Sequence, residues 1–282
     1  MDIQNQMVNQ NKYPDLFTTK LQNLYQEQNF MMVLYLNGAY NLATDMLYTE
    51  GASKRILEVT VPYAKSAAKP LYAQYIVSGA EVKQEAPIGL SIAACKRCIE
   101  LNTDRISDIL KNPILSDINK EDIKHYKSIQ QFVGVGITTD FNTGSSIVAV
   151  CVLRKSKTTD NYSLYTYFKY FVMSEQDATL NTTRKERDSI LSRVIFDYIY
   201  DIINGKYSTS DELPNTIKKD WMLPFREVIQ KRLSIIDKTP QDGGRKRYEN
   251  MTVTELKERA IKRGIKHSQL TKAELILKLR NK

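Results

Sequence analysis

Phe132-Val-Gly-Val-Gly-Ile-Thr-Thr-Asp140 is followed, after a polar loop, by Ile147-Val-Ala-Val-Cys-Val-Leu153. Each run is continuous in apolar residues, short, and bounded by Gly, Asn, Ser or Thr, which is the signature of a strand buried on both faces. An aromatic strand, Asn161 to Val172, follows through the polar turn Lys157-Thr-Thr-Asp160 and makes a hairpin. Upstream, Met31 to Leu36 is a third apolar run, ending at Asn37-Gly38, and Lys54 to Val61 alternates in part through Ile56 and Val59. Helices lie between these strands: Tyr13 to Asn29 with Leu16, Leu21 and Leu24, one running to Leu47, and Ile88 to Glu100. Thr183 and Glu186 cap a longer one, whose apolar pairs Ile190/Leu191, Val194/Ile195, Tyr198/Ile199 and Ile202/Ile203 repeat every four residues as far as Gly205. Trp221 to Ile236 reads as a closing helix. Strands alternating with crossover helices, plus a hairpin, predict an α/β three-layer sandwich with a mixed sheet over residues 13–236. In such sheets ligands bind where strands end, which directs attention to Asn37-Gly38 and to Gly134 through Asp140.

Charge sets the rest of the chain apart. Of a net +9, eight charges lie between Arg245 and Lys282, where twelve Lys or Arg stand against four Glu. A near-neutral body with a cationic appendage fits a tail that meets a polyanion. Residues 237–250, with Pro240, Gly243, Gly244 and no periodic apolar face, read as a flexible basic linker. Residues 251–282 carry ordered helix signals. Thr252 and Glu255 form a capping box with Met251 and Leu256 as its staple, Gly264 ends that helix, and Thr271, Glu274, Leu270 and Leu275 repeat the device.

On those residues the tail resembles the SAP superfamily, helix–extended loop–helix motifs that bind nucleic acid, together with the related motif of Rho-type termination factors. Val253-Thr-Glu-Leu-Lys257, Arg263-Gly-Ile265 and Thr271-Lys-Ala-Glu-Leu275 carry the resemblance. Gln269 and Leu270 stand where many SAP loops have a second Gly, which leaves duplex and single strand open as partners. The residues expected to bind are Lys257, Lys262, Arg263, Lys266, His267 and Lys272, with Arg245, Lys246 and Arg247 as a basic arm. No set of Asn, Gln and Arg projects from a recognition helix, so A/T-rich duplex DNA read by shape is the expected partner.

The body carries a second resemblance. Asn37-Gly-Ala-Tyr-Asn-Leu42, Gly51-Ala-Ser-Lys-Arg-Ile-Leu-Glu-Val-Thr-Val-Pro-Tyr63, Val133 through Asp140 and Arg184-Lys-Glu-Arg187 are similar to the C-terminal domain of the CinA family. Active members are similar to nicotinamide-mononucleotide deamidases, with a serine after the first strand, a lysine following the tyrosine and a threonine in the later Gly loop. Carried over, the serine falls on Asn37, which has no hydroxyl, and two glycines become Tyr40 and Asn41. The lysine falls near Ala68, with Lys65 and Lys69 offset, and the threonine near Val135, with Thr138 and Thr139 further on. Amide hydrolysis by this route needs hydroxyl, base and oxyanion site together, so the resemblance implies a body without the hydrolytic unit. Asn37, Gly38, Tyr63, Lys65, Gly134, Gly136, Thr138, Thr139 and Ser145 remain as a ligand pocket, with a nucleotide as the expected ligand.

The function expected is therefore nucleic-acid binding, with the tail tethering a catalytically degenerate body that forms homo-oligomers. The alternatives are an amidohydrolase working through Lys65 and Thr138 or Thr139, and a scaffold that organises DNA. No run approaches the roughly 18 apolar residues of a membrane helix. Residues 1–12, rich in Gln and Asn, are expected to be disordered rather than a secretory signal. Three cysteines and two histidines make neither a disulfide framework nor a zinc site. No metal or cofactor is expected, and the expected location is intracellular, in the nucleus or wherever DNA lies. Cys95-Lys-Arg-Cys98 falls within an apolar helix and reads as buried, His125 as surface, and Tyr162, Tyr165, Tyr167 and Tyr170 as strand packing rather than base stacking.

Overall fold

The computed structural model describes residues 16–77, 85–111, 120–156, 161–173, 183–207, 209–213, 217–238, 252–262 and 270–280. The chain divides into two compact units, Met1–Ile235 and Ile236–Lys282. The expected disorder of residues 1–12 and most of the expected linker lie outside the described residues.

In the first unit the elements run α1 (Leu16–Glu27), β1 (Phe30–Asn37), α2 (Tyr40–Tyr48), β2 (Ile56–Thr60), α3 (Lys65–Tyr72), α4 (Ala86–Lys111), α5 (Lys120–Ser128), β3 (Gln131–Asp140), β4 (Ser145–Lys155), β5 (Tyr162–Val172), α6 (Arg184–Ile203) and α7 (Leu223–Lys238). The five strands form one sheet in the order β2-β1-β3-β4-β5. β1 is parallel to β2 and to β3, whereas β3, β4 and β5 are joined as antiparallel neighbours. Successive side chains feed two cores. Met32, Leu34, Leu36, Val133, Val135, Ile137, Val148, Val150 and Val152 pack with α1, α2 and α6. Met31, Val33, Tyr35, Phe132, Ala149, Cys151 and Leu153 pack with α3, α4 and α7. This is the three-layer α/β sandwich with a mixed sheet.

Helix α2 connects β1 to β2 over one face, and α3 and α4 carry the chain from β2 back past β1 to β3 over the other. The direction of winding changes between β1 and β3, so their carboxyl ends open a crevice there. Two helices escape the periodicity reading. α3 is short and carries Pro70, and α5 (Lys-Glu-Asp-Ile-Lys-His-Tyr-Lys-Ser) is almost wholly polar. α4 is also longer than its apolar stretch implies. His125, read as a surface residue, is half-buried on α5; burial and the nearby Arg55 lower its imidazole pKa.

Gly134 and Gly136 of β3 were expected in the pocket, and the structure puts them elsewhere. α4 lies on β3 with its backbone against the strand. A Cβ on Gly134 would meet the Cys95 amide nitrogen at 2.1 Å and the Ser91 carbonyl oxygen at 2.2 Å; one on Gly136 would meet the Pro87 oxygen at 2.1 Å. These glycines admit a helix, through its stripe of Pro87, Ser91 and Cys95, rather than a phosphate. Cys95 also donates its thiol hydrogen to the Phe132 carbonyl at 3.3 Å, and Cys98 and Cys151 are fully buried with thiol pKa values pushed up by that burial. Such thiols are packing residues, not redox groups.

Overpacking of this contact is the sharpest test of the layer arrangement. Gly136→Ala forces α4 off the sheet, because the atoms it meets are backbone, and is expected to cost about 3 kcal/mol or more. Chemical denaturation of the full chain measures it; a loss below about 1 kcal/mol would contradict the packing described.

Candidate functional site

Where β1 and β3 end, a cleft of about 1640 Å³ opens in the first unit. Six of the nine residues expected in a pocket line it: Asn37, Tyr63, Lys65, Thr138, Thr139 and Ser145. The register explains the convergence. Asn37 is the last residue of β1 and stands opposite Thr138 in β3. Val135 lies three residues back in the core, so the threonine facing the β1 terminus is Thr138, not a residue near Val135. Lys65 and Ala68 face the cleft from α3. Gly38 does not line it but shapes its floor: its φ is +124°, and a Cβ there would fall 2.2 Å from Thr139 Oγ1.

The sequence reading missed the other wall. Lys169, Arg184 and Arg187 join Lys65 as cations lining the cleft, against Glu85 and Asp140. Arg184 and Arg187 sit in the first turn of α6, where the helix dipole disfavours positive charge. That misplacement was the available signal. Arg187 Nη1 donates to the Phe141 carbonyl at 3.0 Å, and the Arg184 guanidinium lies 4.2 Å from the Phe141 ring centroid. Tyr40 stacks on the same ring at 6.2 Å. The Asp140–Gly144 turn is thereby held against α6, aided by a bond of 2.9 Å from the Asn142 amide to Asp140 Oδ1. Lys65 and Arg184 have no ion pair among the described residues.

The amides that open α2 are already occupied. Asp188 of α6, 5% exposed, accepts from Tyr40 N–H at 3.0 Å and from Asn41 N–H at 2.8 Å, and Ser192 Oγ accepts from Leu42 N–H at 3.1 Å. In a strand–turn–helix unit those are the donors that commonly face a phosphate or an oxyanion. Here a carboxylate from the protein takes their place. Three of the cleft hydroxyls are paired: Thr139 with Ser146 at 2.5 Å, and Thr143 with Ser145 at 2.7 Å. Neither pair contains a histidine or a carboxylate. Among the described residues no cluster of His, Cys, Asp and Glu is placed to hold a metal ion.

The second unit contains α8 (Val253–Lys262) and α9 (Lys272–Arg280), which pack on each other. Leu256, Ala260 and Leu275 are inaccessible to solvent. Thr271 and Glu274 form the expected capping box. Glu274 accepts from the Thr271 amide and hydroxyl, both at 2.7 Å, and returns its own amide to Thr271 Oγ1 at 3.4 Å. These bonds hold the Glu274 carboxyl below the usual carboxylate range. Lys257 is half-buried and Lys272 exposed. Arg245, Lys246, Arg247, Arg263, Lys266 and His267, with the Lys262 side chain, lie outside the described residues.

Residues 247–281 match the SAP domain. The SAP segment thus begins within the basic arm and takes in both helices. Two solved structures resemble the chain at large. One is a competence-damaged protein (CinA) superfamily protein from Escherichia coli, 10% identical, covering 69% of this chain and 98% of that one with a TM-score of 0.41. The other is the competence/damage-inducible protein CihA from Agrobacterium tumefaciens, 10% identical, covering 68% and 98% with a TM-score of 0.37. No curated protein matches the chain.

Asp188→Asn places an NH₂ group where only acceptors fit and removes the charge facing the α2 dipole. The variant is expected to lose about 2–3 kcal/mol, within the range for charged hydrogen bonds and helix caps. Urea unfolding of the variant beside the parent checks this, with Asp197→Asn, whose carboxylate is on the α6 surface, as a control expected to lose under about 1 kcal/mol.

Proposed function

We propose that this protein binds nucleic acid through its SAP segment and thereby tethers a ligand-binding α/β body that does not hydrolyse its ligand. The observation that carries the reading is the SAP match at 247–281, which falls within the stretch 245–282 that holds eight of the nine net charges. Lys257, Lys262, Arg263, Lys266 and Lys272 supply phosphate contacts around two helix ends and a loop, and Arg245, Lys246 and Arg247 extend them. A/T-rich duplex DNA is the proposed substrate, because contacts of this kind read groove shape rather than base edges. The protein then resides where that DNA is, inside the cell, and its bodies associate with one another.

For the body, the cleft supports an anionic ligand with a flat ring, a nucleotide in chemical class. Lys65, Lys169, Arg184 and Arg187 attract the phosphate, and Tyr63 and Tyr170, both largely exposed, offer faces for stacking. Asn37 at the end of β1 and the occupied amides of α2 weigh against amide hydrolysis there, since neither a nucleophilic hydroxyl nor a vacant oxyanion site stands at that turn. A second reading, hydrolysis using Lys65 with Thr138, is favoured by one observation: both line the cleft beside Asn37.

A salt series on duplex and single-stranded probes tests the tether. Log K is expected to fall with log salt at a slope of about −4 to −5, as for five phosphates neutralised. Removing residues 236–282, one of the two compact units, is expected to abolish the complex while the body stays folded; equal binding by the truncated body overturns the reading. Incubation of the full chain with nicotinamide mononucleotide tests the second reading. No ammonia release is expected, and release lost in Thr138→Ala would establish the hydrolase instead.

A further inference from the structure

β5 is an edge strand of the sheet. The bonds Ser156 N–H to Asn161 C=O and Met173 N–H to Gly144 C=O fix which β5 residues turn their backbone inward to β4. The outward set is then Tyr162, Leu164, Thr166, Phe168, Tyr170 and Val172. A short strap covers the middle of this edge. Asp211 N–H donates to Thr166 C=O at 2.9 Å, Ser210 Oγ accepts from Thr166 N–H at 2.9 Å, and Asp211 Oδ2 accepts from Phe168 N–H at 2.8 Å. Beyond the strap, Phe168 C=O, Tyr170 N–H, Tyr170 C=O and Val172 N–H face outward without a partner among the described residues. Tyr170 is 60% exposed and Val172 61%. Unpaired edges of this kind are templates for another strand.

We infer that this open end of β5 pairs with the same segment of a second copy, antiparallel, about a two-fold axis at Tyr170. These four groups are all paired in that arrangement, and only the Val172 C=O is left without a donor. Tyr170 exchanges both its hydrogen bonds with the partner's Tyr170, and each Val172 N–H meets the other copy's Phe168 C=O. Phe168 N–H, already bonded to Asp211, is not needed. Moving the axis to Phe168 would require Thr166, which the strap occupies. Moving it to Lys169 would set two lysines face to face, a destabilising pair. About Tyr170, Lys169 instead faces the other copy's Phe171, the ring type it already covers within its own chain at 5.3 Å. A five-residue edge buries less than the roughly 1,200 Å² of a stable interface, so association is weak and grows with concentration. It does not depend on what the SAP segment binds.

Paired residues of this class lie about 5.5 Å apart at Cα, within disulfide range. Full-length Tyr170→Cys under mild oxidation is therefore expected to form a covalent dimer in rising yield with concentration. Val172→Cys is the control: in this register its own counterpart is four residues away, about 13 Å, and it should remain monomeric. The native thiols are all buried and do not interfere. Without a cysteine added, Tyr170→Pro removes an outward N–H, which an edge strand tolerates, together with a ring of the cleft, and should lower the dimer fraction seen by sedimentation at least several-fold. Monomeric Tyr170→Cys whose thiol still reacts with a small reagent overturns the inference, and so does equal cross-linking of both cysteine variants.

Discussion

The amides of Tyr40 and Asn41 both end on one buried carboxylate, Asp188, some 150 residues further along the chain. That bond ties the start of α2 to the first turns of α6. Because α2 follows directly on β1 and α6 presents Arg184 and Arg187 from the same end, the tie also sets the width of the cleft and the position of its cationic wall. Arg187 then holds the Phe141 carbonyl, and Phe141 lies between Tyr40 and Arg184. One acid thus satisfies two orphan amides, fixes a helix pair and indirectly orders the turn that carries the cleft's hydroxyls. The same acid denies that turn to an incoming phosphate. The anion recognition proposed for the cleft would consequently fall to side chains, which can rearrange, rather than to a rigid ring of amides.

Much of the fold was readable because the signals are local. Thr183 with Glu186 and Thr271 with Glu274 announce helix starts within four residues, and both pairs form capping boxes. The apolar runs at β1, β3 and β4 show that those strands are covered on both faces. Asp188 was not readable, since nothing around Arg184-Lys-Glu-Arg187 says which distant amides it will meet. Gly134 and Gly136 were misread for a physical reason: close approach of a helix and close approach of a phosphate make the same demand, the absence of a Cβ. Only the facing stripe of Pro87, Ser91 and Cys95 distinguishes them, and it lies about 45 residues away in sequence. In the cleft, Asn37, Lys65 and Thr138 were legible from strand ends. Arg184 and Arg187 could have been found from their cost to the helix dipole, a local rule broken where the chain lines its cleft.

The two units divide the electrostatics. The body is nearly neutral, with four cations facing two carboxylates around its cleft, while the tail holds eight of the nine net charges. On the proposed function, long-range attraction to a polyanion is a property of the tail and selectivity for a small ligand a property of the body. Asn37 at the end of β1 is no obstacle to that proposed function, because binding needs the cations, rings and shape of the cleft but not a reacting oxygen.

A weak edge contact acquires meaning in that setting. Two bodies in free solution meet through five residues of β5, whose few hydrogen bonds replace bonds to water and add little net free energy. Two copies held on neighbouring stretches of one polyanion face each other at an effective concentration set by their linkers, which commonly reaches the millimolar range. Under that condition a contact too weak to hold a dimer in solution is largely formed. The strap at Ser210 and Asp211 covers Thr166 and the Phe168 N–H and so confines pairing to the far end of the edge, where a two-fold contact uses up the free edge of both copies and closes at two.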